Sequence, residues 1–334
     1  MTTDKTTNTT EPQQPLRIAV ISGGSSREAE VSRVSGQGVA AALRERGHAV
    51  TILELDQQLP TALLELAPDV VFPALHGAVG EDGTIQGFLE IVGLPYVGSN
   101  VHGSSTAMDK TLAKHVFRSA GLPVATELSF DRWPDDLDPA SLATRLLDVL
   151  GDRLVIKPRT EGSALGVLRL HGAAAVAEAL DAVQSWTGGW LAEPFVDGIE
   201  ATVGVLDLAG RSAATMPPIE IVTAAGEWYD YTNRYAAGKS EHIIPARLPA
   251  AVNDRLQVVA LAAHRALGLR DLSRSDFIVR PKGELVLLET NTMPGMTPTS
   301  LYPDGAQALG YRFPELLEAL CTSALRRSRS QDIS

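Results

Sequence analysis

The sequence predicts an α/β protein with an N-terminal parallel sheet, followed by strand-rich regions that end in a hairpin bearing oxygen side chains. Apolar runs at 16–22, 49–55 and 70–75 alternate with helix-like stretches at 28–46 and 59–66. That order of strands and helices gives a parallel sheet covered on both faces. With 334 residues, 44% of them hydrophobic and 21% charged, the chain is long enough for two or three domains with full cores.

Composition removes several function classes. The net charge of -11 argues against a general nucleic-acid or membrane-surface role. Cys321, expected as a buried apolar residue of the last helix, is the only cysteine, so an intrachain disulfide or a site of several thiolates is excluded. Residues 1–15 are rich in Thr and Gln and read as a disordered tail without a signal-peptide core. No stretch reaches about 18 consecutive apolar residues, so a cytoplasmic location is expected. The basic run Arg326-Arg327-Ser328-Arg329 reads as a solvated end.

The elements follow in order. The first strand ends in Gly23-Gly24-Ser25-Ser26, a tight turn that lacks the later glycines of a dinucleotide fingerprint. Ligands of parallel sheets collect at the carboxyl ends of the strands, where Glu28 and His76 lie. The loop from His76 to Thr84 carries three glycines before a helix at 85–92. It suits an anion cradle, and equally a surface turn capped by Asp82 or Thr84. A further strand is expected at 94–99, then a long helix opening at Ala107-Met108-Asp109-Lys110 and ending near Gly121, with Lys110 and Lys114 on one face. A loop at 133–139 precedes a helix at 142–150.

Strand 154–158 presents Lys157 and leads into Arg159-Thr160-Glu161-Gly162-Ser163, a phosphate lid or a plain hairpin. Glu193 and Glu200 suit contacts to a nucleoside, with Phe195 and Val196 near its base, although surface acids would give the same pattern. The stretch from Trp228 to Tyr235 is an aromatic, charged loop of the kind that carries function. A helix at 256–267 connects it to the closing strands.

Those strands hold the densest signal. Glu289 and Asn291 share one face of a strand, and a turn at 281–284 folds the strand of Asp276 back against it. Two carboxylates and an amide suit a hard cation such as Mg²⁺, which commonly holds nucleotide phosphates as well. The same spacing fits two acids on the wet face of an ordinary hairpin.

Taken together, these segments resemble the D-alanine:D-alanine ligase family of the ATP-grasp superfamily, from about Arg17 to Leu320. The likeness is carried by Glu28-Ala29-Glu30-Val31-Ser32, His76-Gly77 with 80–84, Met108-Asp109-Lys110, Lys157-Pro158 with Glu161-Gly162-Ser163, Tyr229-Asp230-Tyr231 with Tyr235, and Asn291-Thr292 with 294–297. It implies a three-domain α+β ATP-grasp fold: a Rossmann-like substrate domain at 1–98, a central subdomain at 99–196, and a C-terminal subdomain with the metal site at 197–334. The two later domains would clamp ATP.

The resemblance also implies roles. Lys110, Lys157 and Arg234 would bind ATP phosphates, Glu193 and Glu200 would contact adenine and ribose, and Phe195 and Val196 would pack on the base. Asp276, Glu289 and Asn291 would hold two Mg²⁺ ions, with Mn²⁺ able to substitute. Glu28 and His76 would bind the first D-alanine, and Ser300 and Leu301 the carboxylate of the second. Arg274 and the Gly295 N–H would stabilise the oxyanion, while Ser163 and Tyr235, linked to Glu28, would help deprotonate the second amine. Tyr235 stands where relatives using D-lactate carry histidine, which favours an amine substrate.

The expected activity is D-alanyl-D-alanine synthesis for peptidoglycan precursors, by a homodimer, with no nucleic-acid or membrane partner. Departures from the family pattern include Ala29 for His or Arg, Arg234 for Lys, Asn100-Val101-His102-Gly103, and Thr232-Asn233. They leave open a ligase for other amino acids in antibiotic self-protection or biosynthesis. A nucleotide-binding regulator without catalysis is the alternative from another class.

Overall fold

The computed structural model describes residues 14–134, 137–224, 228–229, 234, 238–297 and 300–331. Strands β1 (Arg17–Ser22), β2 (Ala49–Glu54) and β3 (Val70–Pro73) form a parallel sheet in the order β2-β1-β3. Alternation along β1 sends its side chains to two cores. Ile18 and Val20 meet Val39 and Leu43 of α1 (Ala29–Glu45). Ala19 and Ile21 meet Leu59 and Leu63 of α2 (Leu59–Leu66), with Ile85 and Leu89 of α3 (Thr84–Ile91).

The strand expected at 94–99 reduces to a single parallel bridge between Val71 and Tyr96. Pro95 has no N–H for a ladder, and Gly98 turns the chain away at φ 104°. The single long helix expected after it is two helices, α4 (Val101–Met108) and α5 (Lys110–Ser119). Asp109 breaks them: its backbone is extended, and its carboxylate accepts the N–H groups of Thr111 and Leu112 at 2.9 and 3.1 Å. Asn100 caps α4 by accepting the Gly103 N–H at 2.9 Å.

A four-stranded antiparallel sheet follows, in the order β4 (Leu128–Phe130), β7 (Trp190–Pro194), β5 (Arg153–Pro158), β6 (Leu168–His171). Helices α6 (Pro139–Leu150) and α7 (Ala173–Val183) close its core over Trp190, which stacks on Phe130 at 4.3 Å. The alanine-rich α7 is absent from the expectations above.

The third sheet has six strands. Its main path is β11 (Ser240–Ile243), β10 (Ile219–Thr223), β8 (Ile199–Asp207), β12 (Asp271–Val279) and β13 (Leu285–Asn291), and β9 (Ala214–Thr215) pairs with β8. Helix α8 (Ala250–Ala266) starts earlier than the expected 256 and packs on this sheet. Ala113 and Phe117 of α5 join the same core. Helix α5 therefore rides on the third sheet, although it lies in the stretch expected to form the central subdomain. Helix α9 (Leu301–Ala308) leads to α10 (Phe313–Gln331), whose Leu316, Leu317 and Leu320 cover the first sheet. Cys321 is buried in α10, as expected.

The basic run in α10 differs from the expected solvated end. Arg326 and Arg329 are exposed, but Arg327 turns inward to the fully buried Asp271 at 2.6 and 2.8 Å and donates to the Tyr96 carbonyl. Asp271 also accepts from the Ser323 hydroxyl and the Gly98 N–H. One carboxylate thus ties α10, the third sheet and the first domain together. Arg327→Ala leaves that carboxylate without its cation and should cost about 3 kcal/mol. A urea midpoint equal to that of the parent protein would contradict this.

Candidate active site

The β12–β13 hairpin forms as the spacing suggested. Its turn is closed by the Gly283 N–H on the Arg280 carbonyl at 2.8 Å. Arg274 lies opposite Asn291 and Asp276 opposite Glu289, so all four occupy one face. Phe277 then pairs with Leu287, which leaves Leu288 as an extra residue in a bulge. The bulge shifts the alternation by one, so Val286 and Leu288 line the same cavity as Glu289. An apolar floor thereby abuts the acid cluster.

The charges of the hairpin are paired. Arg274 grips Asp276 with two bonds of 2.8 Å, and the Asn291 amide nitrogen donates to Asp276 at 3.2 Å. Lys110 lies 3.3 Å from Glu289 and donates to the Glu161 carbonyl at 2.5 Å. Burial pushes the Glu289 carboxyl up, but Lys110, Arg234 and Lys157 hold it below its ordinary value. On β7, Glu193 is bonded to Lys157 and, at 2.5 Å, to Lys114. Against the push of burial, the two lysines bring Glu193 down to about 2.

A cavity of about 500 Å³ lies between the four-stranded and six-stranded sheets. Lys110, Lys157, Glu193, Phe195, Val196, Glu200, Arg234, Asp276 and Glu289 all line it, so every residue expected to touch ATP is there, with two of the three metal-site residues. Phe195 is flanked by the guanidinium groups of Arg153 and Arg169, at 4.3 and 4.4 Å from its ring centre. Among the described residues Glu200 has no bonded cation; burial pushes it up to about 7.

A smaller cavity, about 60 Å³, adjoins the first through Tyr229 and Arg234, which line both. Glu28, His76, Ser163, Arg274, Asn291, Gly295, Ser300 and Leu301 meet there, brought from the first sheet, the β5–β6 loop and the segment after β13. The Ser163 hydroxyl donates to Glu28, whose carboxyl burial raises. Ser300 Oγ accepts the Thr297 N–H at 3.0 Å, and a Cβ on Gly295 would come within 2.8 Å of that oxygen. A side chain at Gly295 would therefore have to displace the Ser300 hydroxyl. Tyr235 lies outside the described residues, as do Asp230, Tyr231, Thr232 and Asn233.

His76 bonds Ser35 Oγ at 3.2 Å, and burial reinforced by Arg274 pushes its imidazole down to about 4. It is neutral at neutral pH. Glu81, in the same wall, is a site residue that the sequence reading does not single out. It accepts the Gly77 N–H at 2.8 Å, and burial together with Glu28 pushes it up to about 8. Nothing in the local spacing marks Glu81, because its neighbours come from distant segments. Lys114 and Arg169 were likewise given no role.

The donor set at the hairpin fits a hard cation. Among the described residues no three His, Cys, Asp or Glu side chains gather to hold a metal. A cation here would take the carboxylates of Asp276 and Glu289 and the Asn291 carbonyl oxygen, and complete its shell from phosphate and water, as Mg²⁺ commonly does.

Two antiparallel sheets close on a lysine-walled cavity, the arrangement expected above of an ATP-grasp fold. Residues 116–322 match the family described as D-ala D-ala ligase C-terminus, and residues 60–99 match D-ala D-ala ligase N-terminus. The chain is 43% identical over 310 residues to the D-alanine--D-alanine ligase of Anaeromyxobacter sp. (strain Fw109-5), covering 92% of this chain and 96% of that one. It is 46% identical over 316 residues to the ligase of that name from Acidiphilium cryptum (strain JF-5), covering 93% and 99%. The crystal structure of D-alanine--D-alanine ligase from Bacillus anthracis complexed with ATP superposes with a TM-score of 0.80 at 30% identity, covering 95% of this chain and 99% of that one. The chain belongs to the D-alanine--D-alanine ligase family.

The state of His76 predicts an acid weakness. The unfolded chain binds a proton near the ordinary histidine value of about 6.5, whereas the folded chain resists until about 4, so stability falls as pH drops through that window. Between pH 7 and 4.5 the parent protein should lose about 2 kcal/mol more than His76→Gln. Equal losses in urea titrations at the two pH values would contradict this.

Proposed function

We propose that this protein joins two D-alanine molecules into D-alanyl-D-alanine, converting ATP to ADP and phosphate. The observation that carries the reading is the meeting of Glu28, His76, Arg274, Gly295, Ser300 and Leu301 in one small cavity that opens onto a nucleotide-sized one. The name of the relatives and the ATP in the Bacillus anthracis structure support the same reaction.

A carboxylate cannot acylate an amine directly at neutral pH, because the oxygen that must leave is a poor leaving group. The first D-alanine is held by its ammonium on Glu28 and by its carboxylate beside His76. An oxygen of that carboxylate attacks the γ-phosphorus and the bond to ADP breaks, giving an acyl phosphate. Lys110, Lys157 and Arg234 offset the phosphate charge at the cavity wall. A divalent cation on Asp276, Glu289 and Asn291 would supply further charge neutralisation.

The second D-alanine, its carboxylate at Ser300 and Leu301, must attack as a free amine, although an α-amino group has a pKa of about 8. Ser163 and Glu28, with Tyr235, would take up its proton. The developing oxyanion would accept from Arg274 and the Gly295 N–H, and collapse expels phosphate. Neutral His76 can donate one hydrogen bond without trapping the substrate carboxylate in a tight ion pair.

The product suits peptidoglycan precursor synthesis in the cytoplasm, and a homodimer is the assembly the resemblance implies. Among the described residues no helix is long and apolar enough to cross a membrane. The domain division we adopt is 1–98, 99–196 and 197–334, with α4 and α5 riding on the last unit.

Purified protein given ATP, Mg²⁺ and D-alanine should release phosphate and form the dipeptide, in preference to D-serine, D-lactate or L-alanine. Turnover with another pair but none with D-alanine would overturn the reading. Glu289→Gln removes a charge from the proposed cation site and should lower turnover by about a thousandfold without changing the fold. Near-parental turnover would remove Glu289 from that role.

A further inference from the structure

Lys114 is buried at 1% exposure and lines neither cavity, yet its ammonium lies 2.5 Å from Glu193 and 2.7 Å from Glu127. A lysine so deep is held by its counter-charges. Its position on the far side of Glu193 from the nucleotide cavity points to a task beyond packing. Lys157, the other cation on Glu193, does line the cavity. In the reading above Lys157 also offsets phosphate charge, whereas Lys114 serves only the carboxylates of Glu193 and Glu127.

We propose that Lys114 is a positioning residue for purine selection: it holds the Glu193 carboxylate ionised and aimed, so that Glu193 accepts only from a 6-amino group. This rests on the assignment of Glu193 to adenine. A carboxylate offers lone pairs only, and with two oxygens it has acceptor sites to spare beyond the two lysines. It therefore binds the amino group of adenine and repels the 6-oxo group of hypoxanthine or guanine. A protonated carboxyl would gain a donor and lose that discrimination. The geometry of two ammonium groups on one carboxylate opposes protonation, and Glu193 is brought down to about 2 accordingly.

The test compares steady-state kinetics with ATP, inosine triphosphate and purine riboside triphosphate, which carries hydrogen at position 6. Lys114→Met removes the ammonium alone. Because it strands Glu127 beside a single partner, Arg118 at 3.3 Å, the paired variant Lys114→Met/Glu127→Gln is made as well. In whichever variant is folded by circular dichroism, KM for ATP should rise about tenfold, and the preference for ATP over the two analogues should shrink by a similar factor. KM for D-alanine should stay within about twofold, a split that a general structural role would not produce. Parental ATP affinity and purine preference in a folded variant would overturn the inference. If the parent protein itself accepts inosine triphosphate as readily as ATP, the assignment of Glu193 to adenine fails, and the inference with it.

Discussion

The carboxylate of Glu193 sits between two ammonium groups, Lys157 on the neighbouring strand and Lys114 on α5, a helix that packs with the other large sheet. Lys110, one helical turn before Lys114 on the same face, pairs with Glu289 on β13. A single short helix therefore sends one lysine to each sheet. Since an unpaired buried charge costs several kcal/mol, neither sheet can shift from α5 without breaking a pair. Arg274 and Asp276, bonded to each other on β12, complete the acid face against which the lysines are set.

The carboxylates of the site divide into two groups by their neighbours. Glu193, Glu289 and Asp276 have lysine or arginine close by and are held below their ordinary values despite burial. Glu28, Glu81 and Glu200 have no cation bonded to them among the described residues and are pushed up. The first group is suited to permanent charge beside phosphates and a cation. The second can exchange protons, or can gain charge when a cationic substrate arrives. Glu28 and Glu81 share one wall of the small cavity, so the ammonium of an amino acid would relieve a repulsion already present there.

Much of this was legible in the sequence because the signals were local. The β1–β3 alternation, the Glu289 and Asn291 pair and the turn at 281–284 each follow from strand periodicity and turn chemistry. Six short motifs in family order then carried the fold and the site residues. What escaped depends on tertiary partners. Glu81 becomes part of the small cavity only where the first domain meets the segment after β13. Lys114 looks like any solvated helix lysine until β7 packs against it. Arg327 looked like tail because its partner, Asp271, lies on a strand whose start at Asp271 was missed. The long helix at 107–121 was divided by Asp109, a capping residue that helical periodicity alone does not register.

The cover that α10 lays over the first sheet also bears on the order in which the protein can be made. Val20, Val70 and Phe72 leave the ribosome long before one of their partners in the core, the Leu316, Leu317 and Leu320 stripe. Until then α1 shields only part of that sheet face. That sheet face must wait with apolar surface uncovered while the residues between β3 and α10 are translated, so docking of α10 closes a core begun long before it.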